Sequence, residues 1–309
     1  MTAEHSEYRS GFAALVGRPN AGKSTLINRL VGQKIAITSP KPQTTRRTVR
    51  GILTRTDGQL IIVDTPGLHK PRTLLGERLN DLVRANWTEV DVIGLCLAAD
   101  EKLGPGDRFL ATELAQVQRS PIVVIVTKTD LVNPDTVAQR LAMAQELATE
   151  VGLNVADYVP VSAVTGEQAE VVADVLMSRL PLGPQLFDPA TITDETEEAL
   201  IAELIREAAL RDVDDELPHS IAATVDEMQM REDRPVEKPL MDIHATIHVE
   251  RESQKPIVIG KGGSRLKQIG SNARVGIEAL VGVPVYLNLH VRVAKEWQRD
   301  AKQLRKLGF

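Results

Sequence analysis

The stretch Gly17-Arg18-Pro19-Asn20-Ala21-Gly22-Lys23-Ser24 decides the fold of the first part of this chain. It follows an apolar run, 12–16, that is typical of a buried strand, and it precedes a helix-like segment, 25–30. A glycine-rich loop in this setting turns its backbone N–H groups and a helix N-terminus toward one point, while Lys23 adds a positive charge. The stretch therefore predicts a P-loop that binds the phosphates of a nucleotide. The alternative is a glycine-rich turn with a solvated lysine.

A second strand-like run, Leu60-Ile61-Ile62-Val63, leads directly into Asp64-Thr65-Pro66-Gly67. P-loop folds place a magnesium-linked carboxylate at the C-terminal end of such a strand. We therefore expect Ser24 and Asp64 to form the pair around Mg²⁺, with Asp64 acting through a water molecule. Gly67 is expected to offer a backbone N–H to a γ-phosphate and to let the segment rearrange when that phosphate leaves. The alternative is an Asp-Pro turn without a function.

Two more strand-like runs lead into short segments that could recognise a base, Thr127-Lys128-Thr129-Asp130 and Ser162-Ala163. The Asp130 carboxylate can accept hydrogen bonds from both N1–H and the exocyclic amino group of guanine, a match that adenine does not offer. Lys128 is expected to pack its stem over the base, and the backbone N–H of Ala163 to donate to guanine O6. This order of motifs favours GTP, and a P-loop ATPase is the alternative.

The composition favours an enzyme of two units. The chain has 309 residues and a net charge of −5, but the charge is unevenly distributed. After residue 250 there are 12 lysine and arginine residues against 4 acidic ones, whereas the first 250 residues carry a net charge of −13. We therefore expect the C-terminal part to bind anions. The polar N-terminus, the lack of a membrane-length apolar run and the single cysteine, Cys96, predict neither a secreted nor an integral membrane protein.

Glycines recur near the C-terminus in Gly260-Lys261-Gly262-Gly263, within the pattern Ile-Gly-x-x-Gly-x-x-Leu-x-x-Ile. This pattern is the signature of a KH domain, whose loop clamps the backbone of single-stranded nucleotides. Lys261, Arg265 and Lys267 would supply cations around the loop. The alternative is a helix start with a glycine-rich cap.

The pattern around this loop predicts the helix-strand-strand-helix-helix-strand order of a type II KH domain. The segments concerned are a helix at 195–211, strands at 220–230 and 241–250, a short apolar turn at 256–259, a helix after 263 and a strand at 284–293. A basic helix is predicted to follow over 294–307.

Taken together, these motifs resemble the Era family of bacterial GTPases over nearly the whole chain. The resemblance is carried by the P-loop, Gln43-Thr44-Thr45-Arg46, the segment 64–71 and the segment 258–263. It implies binding of GTP and GDP with Mg²⁺, slow GTP hydrolysis, and use of the KH domain on the 3′ end of 16S ribosomal RNA during maturation of the small ribosomal subunit. It also implies that one hydroxyl of Thr44 and Thr45 reaches Mg²⁺, without indicating which.

Three positions bear on how far this resemblance extends. Thr127 stands where the family pattern has asparagine, and we expect it to lower nucleotide affinity more than guanine selectivity. Leu68 stands where Ras-type GTPases carry the glutamine that positions the attacking water. Era-like enzymes share this apolar residue, so hydrolysis is expected to rely on Mg²⁺, Lys23 and backbone N–H groups. Asn20 is a candidate ligand for K⁺, and the alternative is an ordinary turn residue.

The predicted sites fall into four groups. The nucleotide site comprises Gly17, Arg18, Pro19, Asn20, Ala21, Gly22, Lys23, Ser24, Thr25, Asp64, Thr65, Pro66, Gly67, Leu68, Thr127, Lys128, Thr129, Asp130, Ser162 and Ala163. The catalytic group is Lys23, Thr44, Thr45 and Gly67. The metal ligands are Ser24, Thr44, Thr45 and Asp64. The RNA-binding group is Gly260, Lys261, Gly262, Gly263, Arg265 and Lys267.

The predicted fold is α/β, a P-loop GTPase domain with a mostly parallel sheet followed by a smaller α+β type II KH domain. The helix breakers around Pro184 place the GTPase domain at 8–183, a linker at 184–193 and the KH domain at 194–309. Two functions are open: a GTP-hydrolysing switch that binds RNA, and an RNA-binding scaffold whose nucleotide site is structural. We expect a cytoplasmic monomer that meets 16S rRNA and the small ribosomal subunit, and peripheral contact with the inner face of the membrane is left open.

Overall fold

The computed structural model describes residues 8–38, 48–64, 87, 89–117, 119–211, 221–232, 234–235, 237–295, 297–300 and 303–304. The chain divides into two compact units, and the main boundary lies between Asp194 and Glu195. The short segment Ile37–Thr44 is grouped with the second unit, and of it the structure describes Ile37 and Thr38.

The described part of the first unit is a six-stranded sheet with its helices. In chain order its elements are β1 (Arg9–Gly17), α1 (Lys23–Val31), β2 (Val49–Thr54), β3 (Gly58–Asp64), β4 (Val92–Ala98), α2 (Pro105–Val117), β5 (Ile122–Thr127), α3 (Pro134–Val151), β6 (Val155–Pro160) and α4 (Ala169–Ser178). The strand order is β2-β3-β1-β4-β5-β6. All neighbouring strands are parallel except β2, which is antiparallel to β3.

Both faces of this sheet are covered, which explains why its central strands are apolar along most of their length. Every residue of β3 and of β5 is buried. On one face the strands pack against Leu26 and Leu176, which lie on α1 and α4. On the other face they pack against Leu114 and Leu147, which lie on α2 and α3. Because β1, β3, β4, β5 and β6 are parallel, their carboxyl ends meet at one edge of the sheet.

The second unit is a three-stranded sheet with helices packed against it. Its elements are α5 (Glu197–Arg211), β7 (Ala222–Met230), β8 (Met241–Val249), α6 (Lys255–Ile259), α7 (Ser264–Val281) and β9 (Val285–Val293). The strand order is β7-β8-β9, with β7 antiparallel and β9 parallel to β8. The core joins Ile201 and Ile205 of α5 to Ile269 and Ile277 of α7 and to the inner face of the sheet.

The predicted fold class and the order of elements in the second unit are confirmed. The basic helix predicted at 294–307 does not begin at the predicted residue, because Ala294 and Lys295 are not helical. The Ala294 N–H donates to the carbonyl oxygen of Val249 at 2.8 Å, so the backbone stays bound to the neighbouring strand beyond the end of β9. A short 3-10 turn follows at Trp297–Arg299. Residues 296, 301–302 and 305–309 lie outside the described part.

The segment 184–193, predicted as the linker, is bound to the first unit. The fully buried Gln59 accepts from the N–H groups of Leu186 and Phe187 at 2.8 and 2.9 Å, and its Nε2 donates to the Phe187 carbonyl at 3.0 Å. Further on, the Ile52 N–H donates to the Ile192 carbonyl at 2.8 Å. The segment therefore contacts β3 through the Gln59 side chain and then β2 through a single isolated bridge between Gly51 and Thr193.

Candidate nucleotide site and RNA-binding groove

The P-loop connects β1 to α1 and encloses Lys23. The loop turns through Asn20 and Gly22, whose φ angles are 64° and 84°, and α1 begins directly after Gly22. Lys23 is only 6% exposed, and its Nζ donates to the carbonyl oxygens of Gly17 and Arg18 at 3.0 and 2.9 Å. Burial lowers the pKa of Lys23, while Asp64 opposes the shift by favouring the charged form. The ammonium group is thus held inside the loop where phosphates would add negative charge.

Two side chains fix the P-loop from outside. The buried Thr127, at the end of β5, donates its hydroxyl hydrogen to the carbonyl oxygen of Ala21 at 2.7 Å. The guanidinium of Arg18 extends toward the start of α2, where it meets Asp107 at 3.2 Å and Glu101 at 3.1 Å. The side chain of Arg18 is therefore engaged with acidic groups of the protein.

Ser24 and Asp64 lie side by side, although 40 residues separate them in sequence. The Ser24 hydroxyl donates to Asp64 Oδ2 at 2.7 Å, and Asp64 is fully buried at the end of β3. A hydroxyl and a carboxylate are hard oxygen ligands of the kind that Mg²⁺ takes alongside phosphate oxygens and water. Burial raises the pKa of the Cys96 thiol to about 12, so this side chain is a neutral thiol at neutral pH. The donor set present fits Mg²⁺.

The base end of the site lies at the ends of β5 and β6. Asp130 is exposed, and the buried Ser162 donates its hydroxyl hydrogen to Asp130 Oδ1 at 2.6 Å. Lys128 adopts a left-handed backbone conformation with φ of 58°, and its ammonium group pairs with Asp100 at 3.1 Å. The two motifs predicted to recognise guanine are therefore brought together, with the carboxylate of Asp130 oriented by the loop that contains Ser162.

One residue that sequence reasoning missed joins α1 to this loop. Arg29 donates from Nε to the carbonyl oxygen of Ala163 at 2.8 Å and from Nη2 to the carbonyl oxygen of Val164. A cavity of about 320 Å³ lies here, lined by Thr25, Asn28, Arg29, Gly32, Gln33, Lys34, Ala163 and Val164. No sequence motif marks Arg29, because its partners are main-chain atoms more than a hundred positions away.

Several predicted site residues lie outside the part of the chain that the structure describes. They are Thr44, Thr45, Thr65, Pro66, Gly67 and Leu68, together with Gln43 and Arg46. The observed geometry of the site therefore concerns the P-loop, Asp64 and the base-binding motifs.

In the second unit, the Gly-x-x-Gly loop connects α6 to α7 and depends on its glycines. Gly260, Gly262 and Gly263 have φ angles of 74°, 60° and 80°. A Cβ atom on Gly260 would lie 2.8 Å from the Cβ atom of Arg265, which leaves no room for a side chain there. Lys261 is exposed at the tip of the loop. The backbone of the loop is thus open to a close approach.

A groove of about 390 Å³ begins at this loop and runs between α7 and β9, lined by Gly263, Leu266, Lys267, Gly270, Ser271, Arg274, Leu287 and Leu289. Lys267, predicted to bind RNA, lies in the groove. Arg265 does not line it, and its guanidinium donates to the carbonyl oxygen of Ile257 at 2.8 Å. Sequence reasoning missed Arg274, although its spacing of seven from Lys267 places both cations on one face of a helix.

Membrane-spanning helices and metal-binding side-chain clusters are both absent from the described residues. None of the helices in the described ranges is long and apolar enough to cross a membrane. Within the same ranges, no group of three or more histidine, cysteine or acidic side chains is arranged to hold a metal ion.

The first unit combines a P-loop and a serine–carboxylate pair with the motifs predicted to recognise guanine at the ends of β5 and β6. The second unit has a KH fold. These features together define the class of P-loop GTPases with an RNA-binding KH domain. The comparisons agree with this class. The family model described as 50S ribosome-binding GTPase matches residues 12–128, and the KH domain model matches residues 216–298.

Among curated proteins, GTPase Era of Streptomyces coelicolor is 63% identical over 302 residues, covering 98% of this chain and 95% of that protein. GTPase Era of a Nocardioides species is 61% identical and covers 98% and 96%. The chain therefore belongs to the Era family of GTPases, and it is a GTPase.

Two solved structures extend the comparison to the fold. Era in complex with MgGDPNP and nucleotides 1506–1542 of 16S ribosomal RNA has a TM-score of 0.91 at 35% identity, covering 97% of this chain and 99% of that chain. A single-residue variant of Aquifex aeolicus Era bound to GDP·AlF4⁻ has a TM-score of 0.90 at 35% identity, with the same coverage.

Proposed function

We propose that this protein is a GTP-hydrolysing switch that binds the 3′ region of 16S rRNA during maturation of the small ribosomal subunit. The observation that carries the proposal is the pairing of Ser24 with Asp64 beside the enclosed ammonium of Lys23. Support comes from the solved Era structure that contains both MgGDPNP and a 16S rRNA fragment.

In this proposal the P-loop binds the β- and γ-phosphates. Lys23, whose Nζ donates to the Gly17 and Arg18 carbonyls, would also donate to phosphate oxygens, whose negative charge favours the ammonium form of this buried group. Ser24 and Asp64 hold Mg²⁺, with Thr44 or Thr45 added in the GTP state. When bound, Mg²⁺ would neutralise negative charge on the phosphates. The remaining proposed catalytic group, the backbone N–H of Gly67, would stabilise charge on the γ-phosphate.

The base is assigned to guanine because Asp130 is exposed and already oriented by Ser162. Substituting Asp130→Asn tests this assignment, since an amide can donate to the oxygen that replaces the guanine amino group in xanthine. In a competition assay we expect the variant to bind GTP more weakly and xanthosine triphosphate more tightly than the wild type does. Unchanged preference for GTP would contradict the assignment, and competition by ATP in the wild type would favour the ATPase alternative.

We assign RNA binding to the Gly-x-x-Gly loop and to the groove behind it. The loop residues that would contact the RNA backbone are Gly260, Lys261, Gly262 and Gly263, and Lys267 lies in the groove. Arg265 supports the loop through its bond to Ile257. A single-turnover GTP assay with and without the 3′-terminal 16S rRNA fragment separates a GTP-hydrolysing protein from an RNA-binding scaffold. Hydrolysis that proceeds under both conditions supports an enzyme; its absence in both would leave the RNA-binding scaffold.

Finer parts of the proposal concern ions and location. We propose that Asn20 contributes to a K⁺ site near the phosphates, that the protein acts as a cytoplasmic monomer on the small ribosomal subunit, and that it contacts the inner face of the membrane peripherally. Light scattering tests the monomer, and sedimentation with vesicles that contain anionic lipids tests the membrane contact. A dimer in light scattering would contradict the monomer. A protein that stays in the supernatant after sedimentation with vesicles would contradict the membrane contact.

A further inference from the structure

Arg29 lies in the last turn of α1, the helix whose first residues form the phosphate site. Its guanidinium reaches across to the loop after β6, where Nε donates to the carbonyl oxygen of Ala163 at 2.8 Å and Nη2 donates to that of Val164. A planar guanidinium can serve two successive carbonyls at once with a fixed geometry. The contact therefore holds the two peptide groups that directly follow the Ala163 N–H, Ala163–Val164 and Val164–Thr165, rather than adding charge alone.

The same loop is held from its other side by Ser162. The Ser162 hydroxyl donates to Asp130 at 2.6 Å and accepts from the Thr165 N–H at 3.1 Å, and the Gly166 N–H donates to the Ser162 carbonyl at 2.9 Å. The peptide group that carries the Ala163 N–H is therefore held at the Ser162 carbonyl by the Gly166 N–H, and the next two peptide groups are held by Arg29. Among the residues that the structure describes, none accepts a hydrogen bond from the Ala163 N–H.

The guanidinium also packs closely against the loop. A Cβ atom on Gly166 would lie 3.4 Å from Cζ of Arg29, and the φ angle of Gly166 is 87°. The glycine lets the loop bend close to the guanidinium. Arg29 further lines the 320 Å³ cavity between α1 and the loop, although its hydrogen bonds are directed to the loop.

We infer that Arg29 is a positioning residue for guanine recognition: by holding the carbonyls of Ala163 and Val164, it aims the Ala163 N–H at guanine O6. The inference rests on the proposed function, since it requires guanine as the base. In this inference Arg29 contacts the loop and leaves contact with the base to the Ala163 N–H. Its role is to keep one recognition N–H in place from the helix that binds the phosphates.

The test compares the affinities of three ligands for the wild type and for three variants of the full chain, with Mg²⁺ present. The ligands are GDP, 6-thio-GDP, whose sulfur at position 6 accepts hydrogen bonds weakly, and inosine diphosphate, which lacks the amino group assigned to Asp130. The variants are Arg29→Met, Arg29→Lys and, as a matched control, Arg108→Met, which removes an exposed arginine paired with Glu150. Affinities come from competition with a fluorescent GDP analogue.

We expect the wild type and the control to prefer GDP over 6-thio-GDP by roughly fivefold, the size of one net hydrogen bond. In Arg29→Met we expect this preference to fall to about twofold or less, while the preference for GDP over inosine diphosphate stays as in the wild type. Arg29→Lys keeps the charge but not the two-carbonyl geometry, so it should resemble Arg29→Met.

An undiminished 6-thio-GDP preference in Arg29→Met would overturn the inference, and so would full restoration by Arg29→Lys, which would point to long-range charge. If the wild type does not distinguish GDP from inosine diphosphate, the guanine assignment itself fails and this inference falls with it. The two failures are therefore distinguishable in one set of measurements. A loss of both preferences in Arg29→Met would mean general damage to the site and would also contradict the inference.

Discussion

The hydroxyl of Thr127 donates to the carbonyl oxygen of Ala21 at 2.7 Å and so joins the end of β5, where the motif proposed to bind the base begins, to the P-loop. A second acceptor, the Leu97 carbonyl oxygen, lies at 3.4 Å, and a single hydroxyl hydrogen favours the shorter contact. Threonine at this position thus gives the loop one hydrogen bond where an asparagine amide has both a donor and an acceptor to offer. The contact is shielded from solvent, because Thr127 is 1% exposed.

Removing this hydroxyl should weaken nucleotide binding without altering the choice of base. In Thr127→Val the Ala21 carbonyl loses its buried partner, so we expect GDP affinity to fall about three- to tenfold. Thr127→Asn should instead tighten GDP binding. Calorimetry of both variants checks these results, with xanthosine diphosphate as the control ligand for selectivity. Equal GDP affinity in all three proteins would contradict the tethering role.

The proposed K⁺ site can be tested without distorting the P-loop. Asn20 has a φ angle of 64°, a conformation in which alanine would be strained but glycine is not. Asn20→Gly therefore removes the amide oxygen and keeps the turn. We expect replacement of Na⁺ by K⁺ to raise the single-turnover GTP hydrolysis rate of the wild type and to leave that of Asn20→Gly unchanged. Equal wild-type rates in both salts would leave Asn20 as a turn residue.

Gln59 should contribute strongly to the stability of the first unit. Gln59→Ala removes its hydrogen bonds to the main chain of Leu186 and Phe187 and leaves those groups poorly paired, so we expect a loss of about 2 to 4 kcal/mol in the free energy of unfolding. Amide hydrogen exchange at residues 186 and 187 should rise as well. Gln145→Ala, on the exposed surface of α3, is the matched control. A similar stability in both variants would show that the segment 184–193 is only loosely held.

The contrast between Ser24 and Gln59 shows what the sequence could predict. Ser24 and Asp64 belong to motifs whose spacing and strand-end position are set by the chemistry of phosphate and Mg²⁺, so the sequence alone predicts their pairing. Gln59 binds the segment 184–193 by contacts between residues 127 positions apart, and no local pattern carries that information. The same holds for Arg29, whose partners are carbonyl oxygens, and for Ala294, which a neighbouring strand keeps out of a helix.

Negative charge on the Gly-x-x-Gly loop should weaken RNA binding whatever the RNA sequence. Combining Lys261→Asp with Gly262→Asp places two carboxylates against phosphates; open space surrounds Gly262, and aspartate is among the few residues that adopt its left-handed φ of 60°. We expect lower affinity and a smaller dependence of affinity on salt, with unchanged GDP binding. Lys238→Asp, an exposed lysine before β8, serves as the control. Wild-type affinity in the double variant would remove the loop from the RNA-binding surface.

The most direct test of the switch is the affinity for RNA in the two nucleotide states. Fluorescence anisotropy with a labelled 3′-terminal 16S rRNA fragment, at fixed salt and with Mg²⁺, compares the protein bound to a non-hydrolysable GTP analogue with the protein bound to GDP. Because a nucleotide changes RNA affinity only through a differential free energy, a switch predicts affinities that differ by about fivefold or more. Equal affinities in the two states would contradict the switch and leave an RNA-binding GTPase whose nucleotide does not control RNA affinity.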